Sequence, residues 1–266
     1  MNRLTILKIG GHVLADPAKR TQLLADFAQL PGAKVLVHGG GKTGTQIAER
    51  LGIQVQMVDG RRITDKPMLE VAMMVYGGLK NKQLVASLQA LGINALGITG
   101  ADMNVIQAIK RPVKTIDYGW VGDIVAVDGD RLAQLIQAGI TPVMAPLTHD
   151  GQGNMLNTNA DTIASVVAQA LSAFYEVHLV YGFEKPGVMI DPDDDQTLIQ
   201  QLTPSSYADH RQQGHIVGGM IPKLDNAFDA LNHGVNRVYI CSQSALSGLH
   251  TPQFIGTEIL IPSTSE

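Results

Sequence analysis

Two lysines stand beside glycine pairs: Lys8 precedes Gly10-Gly11, and Lys223 follows Gly218-Gly219. Lys8 lies inside the apolar run Leu4-Thr5-Ile6-Leu7-Lys8-Ile9, where burying it without a partner is costly. It either snorkels to the surface or presents a cation at the edge of a sheet, and the double glycine favours the second reading. Lys223 falls in the first turn of a helix opening after Gly219, where its charge opposes the helix dipole unless an anion sits opposite. A third feature is His38-Gly39-Gly40-Gly41-Lys42-Thr43-Gly44, which carries the strand-like Lys34-Val35-Leu36-Val37 into a helix. Glycines let a backbone come close to a ligand with its N–H groups outward, and a helix N-terminus adds partial positive charge. The turn suits an anion. Gly39, Gly41 and Gly44 also fit G-x-G-x-x-G, with Asp59 about twenty residues on as a dinucleotide fold asks. A tight turn with no ligand stays open beside that reading. A P-loop is excluded, because Leu36 occupies the position its first glycine needs.

Two polar clusters complete the set. Arg61-Arg62 follows a hairpin turn at Asp59-Gly60 and is either a solvated loop or a carboxylate clamp. Asn157-Thr158-Asn159-Ala160-Asp161 leads into a small-residue apolar helix; capping explains one Asn or Asp there, and three polar residues exceed it. No Ser-His-Asp arrangement, Cys/His cluster or evident general base accompanies these groups. Phosphoryl transfer asks for such an inventory, because its transition state spreads negative charge over oxygens and is stabilised by cations and N–H donors. A carboxylate acceptor, already ionised at pH 7, needs little base catalysis.

The elements that must position these groups alternate. Strands are expected at 4–9, 34–37, 93–98, 141–145, 177–181 and 236–241, with a last apolar run at 255–260. Helices are expected at 17–30, 43–51, 67–91 (kinked at Gly77-Gly78), 131–138, 162–171 and 203–212, and after Gly219. Residues 105–109 and 121–127 read as antiparallel additions. Met73 and Met74 read as core or a subunit interface. The acidic run 191–195 reads as an exposed loop. The pattern predicts an α/β fold: a three-layer αβα sandwich around a central, mostly parallel sheet. It forms one domain, 1–266, with an N-terminal lobe to residue 175 and a C-terminal lobe from 176.

Bulk properties narrow the partners. The 266 residues carry net charge −4 and no basic run, so nucleic acid is not an expected partner. No apolar run approaches the roughly 18 residues that span a membrane. The first residues enter a strand directly, so no signal peptide is expected. The single cysteine, Cys241, follows Val238-Tyr239-Ile240 and reads as a packing residue. A cytoplasmic protein is expected.

Five motifs in order resemble the amino-acid kinase family, and within it the acylglutamate kinases. Lys8-Ile9-Gly10-Gly11 resembles K-[ILF]-G-G, and His38-Gly39-Gly40-Gly41 resembles H-G-G-G. Gly60-Arg61-Arg62-Ile63-Thr64 resembles G-x-R-x-T, Asn157 to Asp161 resembles N-x-N-A-D, and Gly218 to Lys223 resembles G-G-M-x-x-K. The similarity runs from about residue 6 to 259 and displaces the dinucleotide reading. It implies transfer of a phosphoryl group from ATP to the γ-carboxylate of N-acetyl-L-glutamate, as in arginine biosynthesis. By the same resemblance Lys8 and Lys223 hold the phosphoryl group, Gly10, Gly11 and Gly40 offer N–H donors, and Asp161 orients both lysines. Arg62 clamps the α-carboxylate with Asn157 and the Gly40-Gly41 backbone. ATP lies after Tyr181 and by Gly218-Gly219, and Mg2+ is held mainly by phosphates. The family's Asp after the nucleotide-lobe strand is missing from Tyr181-Gly182-Phe183-Glu184. Arginine-inhibited hexameric relatives carry an extra N-terminal helix, so a homodimer that arginine does not inhibit is expected. The motifs do not distinguish acetyl from succinyl, so N-succinyl-L-glutamate is the alternative acceptor; a non-catalytic paralogue is the alternative of another class.

Overall fold

Side chains along the largely buried β1 (Arg3–Ile9) enter two cores in alternation. The computed structural model describes residues 1–58 and 60–262, so the turn residue Asp59 lies outside the described residues. Leu4 and Ile6 face one core, and Leu7 and Ile9 face the other, because successive strand side chains point to opposite faces. After α1 (Gly11–Ala15) and α2 (Pro17–Gln29), β2 (Ala33–His38) repeats the division: Val35 and Val37 face the first core, Leu36 the second. Then come α3 (Gly41–Arg50), a hairpin of β3 (Met57–Val58) and β4 (Arg61–Arg62), α4 (Lys66–Ala72), a π-helical segment at Met73–Lys80 and α5 (Asn81–Ala90).

The chain continues through β5 (Ala95–Ile98), β6 (Ile106–Lys110), β7 (Gly122–Val127), α6 (Gly129–Gln137), β8 (Thr141–Met144), β9 (Leu147–His149), β10 (Met155–Asn157) and α7 (Ala160–Leu171). It ends with β11 (Glu176–Phe183), β12 (Gln201–Leu202), α8 (Pro204–Gln212), α9 (Met220–Asn232), β13 (Arg237–Ser242) and β14 (Thr257–Ile259). Eight strands form the central sheet in the order β12-β14-β13-β11-β1-β2-β8-β5. The run from β13 to β5 is parallel, and β14 reverses against β13. Helices α6, α7 and α9 cover the face of Leu4 and Ile6; α2 and α5 cover the other. This is the expected three-layer α/β architecture.

One expectation changes and another gains detail. Strands β6 and β7 do pair antiparallel, but they join β9 and β10 in a separate four-stranded sheet, so they add nothing to the central one. In the stretch 67–91, Gly77-Gly78 fall inside a π-helical segment. The stretch passes from α-helix through eight π-helical residues and back, which shifts the later side chains around the axis without a break.

Candidate active site

Parallel neighbours β11, β1 and β2 end at one edge of the sheet, so the turns after β1 and β2 meet there. Lys8 stands opposite Tyr181 of β11 and Val37 of β2. It shares the face of Leu4 and Ile6, and therefore points toward α7 and α9. Helix α7 is capped by Asn159, whose side chain accepts from the N–H groups of Asp161 at 2.7 Å and Thr162 at 3.2 Å. Capping is thus the role of Asn159, which leaves the Asp161 carboxylate to face inward. Its Oδ1 lies 2.7 Å from Nζ of Lys8, and its Oδ2 accepts a hydrogen bond from Nζ of Lys223 at 3.1 Å. Burial pushes Asp161 up, but the charges of Lys8 and Lys223 outweigh it and hold the carboxyl below its ordinary range. Burial lowers Lys223, with Asp161 opposing and Lys8 adding to the effect. The Lys223 ammonium lies 5.0 Å from the centre of the Tyr181 ring and 6.0 Å from that of Phe183.

The glycine turns differ in what they require. Gly39 donates to the carbonyl of Ile9 at 3.0 Å, tying the two turns together. At Gly10 φ is −81° and a Cβ would meet nothing within 4 Å. Neither its conformation nor its packing asks for glycine, whereas close approach of a ligand to the backbone would. At Gly11 a Cβ would make ordinary contact with the N atoms of Lys42 and Gly41. At Gly40 a Cβ would sit 2.5 Å from Cδ1 of Tyr76, and at Gly44 it would sit 2.9 Å from the Tyr76 hydroxyl. Those two glycines make room for a buried ring.

Arg62 and Arg61 separate, as neighbours in a strand must. Arg62 donates from Nη2 to Oγ1 of Thr45 at 2.8 Å and to the carbonyl of Gly41 at 3.0 Å, so it lies against the first turn of α3. Arg61 lines a cavity of about 660 Å³ together with Arg111, Lys114 and Tyr118. Asn157 donates to Oγ1 of buried Thr64 at 3.0 Å. Thr64 in turn exchanges backbone hydrogen bonds with Tyr118 and Trp120. The arginine, glycine-turn and asparagine motifs thereby form one connected wall. Gly218 has φ +57° and Gly219 precedes α9, so this pair sets the entry into the helix that carries Lys223. Tyr181 is fully buried; its ring supports Lys223 from within the core and has no face open to a nucleotide.

Three residues escaped the sequence reading in this role. His38 is fully buried, and its Nε2 meets Nδ2 of Asn81 at 3.1 Å. Asn81 is the donor there, so the His38 proton is on Nδ1, which donates to the carbonyl of Gly39 at 2.8 Å. Burial lowers its pKa to about 4, with Lys80 adding to that and the Gly39 bond opposing, so the ring is neutral. Asn81 stands on the stripe of Leu84 and Leu88, a polar residue at core spacing, and that was its signal. Tyr76 is the only aromatic residue in the stretch 67–91.

Two ammonium groups held on one carboxylate, beside glycine turns where parallel strands end, are an arrangement that phosphoryl-transfer enzymes use. Comparison supplies the family: the chain belongs to the amino acid kinase family, whose model matches residues 3–242. It is 58% identical over 244 residues to the acetylglutamate kinase of Bacteroides thetaiotaomicron, covering 92% of this chain and 95% of that one. It is 50% identical over 262 residues to the acetylglutamate kinase of Cytophaga hutchinsonii, covering 98% and 99%. Among solved structures it resembles an N-acetylglutamate synthase from Neisseria gonorrhoeae complexed with coenzyme A and N-acetyl-glutamate. That match has TM-score 0.80 and 26% identity, covers 97% of this chain, and spans 59% of the longer synthase chain.

Proposed function

We propose that this chain transfers the γ-phosphoryl group of ATP to the γ-carboxylate of N-acetyl-L-glutamate, a step of arginine biosynthesis. The observation that carries this reading is one carboxylate, Asp161, held between the ammonium groups of Lys8 and Lys223. The attacking atom is a γ-carboxylate oxygen of the acceptor. Its new bond to phosphorus forms as the bond from phosphorus to the ADP oxygen breaks, giving an acyl phosphate and ADP. The acceptor is ionised before it binds, so no side chain need remove a proton. Lys8 and Lys223 offset the charge that gathers on the phosphoryl oxygens, and Asp161 keeps both ammonium groups aimed at one point. N–H groups of Gly10, Gly11 and Gly40 add donors.

Arg62, poised beside Gly41, takes the α-carboxylate of the acceptor, with Asn157 and the Gly40-Gly41 backbone alongside. The acceptor thus lies on the 1–175 part and ATP on the 176–266 part, at Gly218-Gly219 and the end of β11. Tyr181 contributes through Lys223. Asp161 commits both oxygens to lysines, and among the described residues no three His, Cys, Asp or Glu side chains gather for a metal ion. Mg2+ therefore fits as the companion of ATP, held by phosphate oxygens. No helix among the described residues is long and apolar enough to cross a membrane, in keeping with a cytoplasmic enzyme. Met73, Met74 and Leu79 expose apolar surface on one helical stretch, which suits the interface of a homodimer.

One observation favours N-succinyl-L-glutamate as a second reading. Arg111 spends Nε and Nη2 on Asp123, and its Nη1 is buried without a partner in the wall shared with Arg61 and Lys114. A carboxylate-bearing acyl group would suit those cations. The test is ADP release with the acetyl and succinyl acceptors side by side, with hydroxylamine trapping the acyl phosphate. A higher kcat/KM for the acetyl compound supports the first reading, and the reverse supports the second. No turnover of either refutes both.

A further inference from the structure

The π-helical segment Met73–Lys80 grips the glycine turn at two points. Asn81, the residue after it, bonds buried His38 at the start of the turn. Tyr76, within it and 3% exposed, lays its ring against Gly40 and Gly44 further along. The fit is close enough that a methyl group on either glycine would overlap the ring or its hydroxyl. Arg62 occupies the other side of the same helical turn, bonded to Gly41 and Thr45. π-Helical turns are rare, and they recur where a side chain must be placed out of α-helical step.

From this geometry we infer that Tyr76 is a positioning residue for the acceptor site: its ring sets the Gly40-Gly41 backbone, on which Arg62 is itself anchored. The inference rests on the acceptor reading given above. Burial pushes the Tyr76 phenol up, with the nearby Arg62 charge opposing. Tyr76 touches no reacting atom in this account. It acts through the N–H groups and the arginine that hold the acceptor.

Two variants separate this role from simple core packing. Tyr76→Phe keeps the ring over Gly40 and Gly44 and removes the hydroxyl. It is expected to keep both KM values near those of wild type, because the ring still sets the turn. Tyr76→Leu removes the ring and is expected to raise KM for N-acetyl-L-glutamate by roughly five- to tenfold, with KM for ATP within about twofold of wild type. Calorimetric binding of N-acetyl-L-glutamate to each variant should follow the same order. Unchanged acceptor affinity in Tyr76→Leu, or an equal rise in both its KM values, would overturn the inference. Wild-type protein that neither binds nor turns over the acceptor would instead overturn the proposed function, so the two failures are distinguishable.

Discussion

Lys8 Nζ lies 2.7 Å from Oδ1 of Asp161, although one residue ends a strand and the other begins a helix more than half the chain away. The contact follows from the pleat. Lys8 inherits the face of Leu4 and Ile6, and α7 packs on that face. Replacing Lys8 by Met keeps the packing and removes the charge. It is expected to lower kcat by about 10²–10³-fold, as loss of one preorganised donor does, with the acceptor KM changed much less. Steady-state kinetics checks this; a proportional rise in KM alone would assign Lys8 to binding.

Asp161→Asn should act through Lys223. Asp161 is the one contact that raises Lys223 against burial and Lys8, so its removal allows Lys223 to lose its proton at lower pH. The alkaline limb of the kcat profile is expected to move toward neutrality, and stability is expected to fall by about 2–4 kcal/mol because two buried cations lose their partner. A profile superimposable on that of wild type would contradict the bridging role.

Glycine substitutions should divide by mechanism. Gly40→Ala drives a methyl group into the Tyr76 ring and is expected to cost about 1–3 kcal/mol by overpacking, read as a lower denaturation midpoint. Gly10→Ala meets nothing within 4 Å, so stability should hold while kcat falls, because the methyl group obstructs approach of the phosphoryl group to the backbone. Equal stability losses at the two positions would refute the distinction.

Much of this was legible in the residues. Lys8 and Lys223 announced themselves as charges where packing and helix dipoles disfavour them, Asp161 as part of a polar cluster larger than one cap needs, and strand alternation then dictates that Lys8 meets α7. The central sheet follows from the regular alternation of elements. The second sheet was hidden because β9 and β10 have three residues each and are defined by pairing with distant partners. The roles of Tyr76 and Asn81 were hidden because a helical period assumes 3.6 residues per turn, and the π-helical segment breaks that register. The resemblance implied a nucleotide contact at Tyr181; its burial under Lys223 shows the ring to be internal.

Acid should destabilise the chain through buried His38 and half-buried His250. His38 and His250 are both lowered to about 4, chiefly by burial, while the unfolded chain titrates near its ordinary value of about 6.5. Between those values the unfolded state binds more protons, so stability is full above about pH 6.5 and falls as pH drops toward 4. His38 alone contributes on the order of 3 kcal/mol across that window. Urea denaturation at pH 7.5 and pH 5 measures it; equal midpoints would contradict the neutral state of these rings.

The measurement closest to the central claim is a single-turnover transfer of γ-labelled phosphate from ATP to N-acetyl-L-glutamate, run with wild type, Lys8→Met and Lys223→Met. The account predicts a hydroxylamine-sensitive labelled product from wild type, formed at least about 10²-fold more slowly by each variant, with binding of the acceptor retained. Equal rates from the lysine variants, or label that passes only to water, would contradict the assignment of the Lys8–Asp161–Lys223 cluster to phosphoryl transfer.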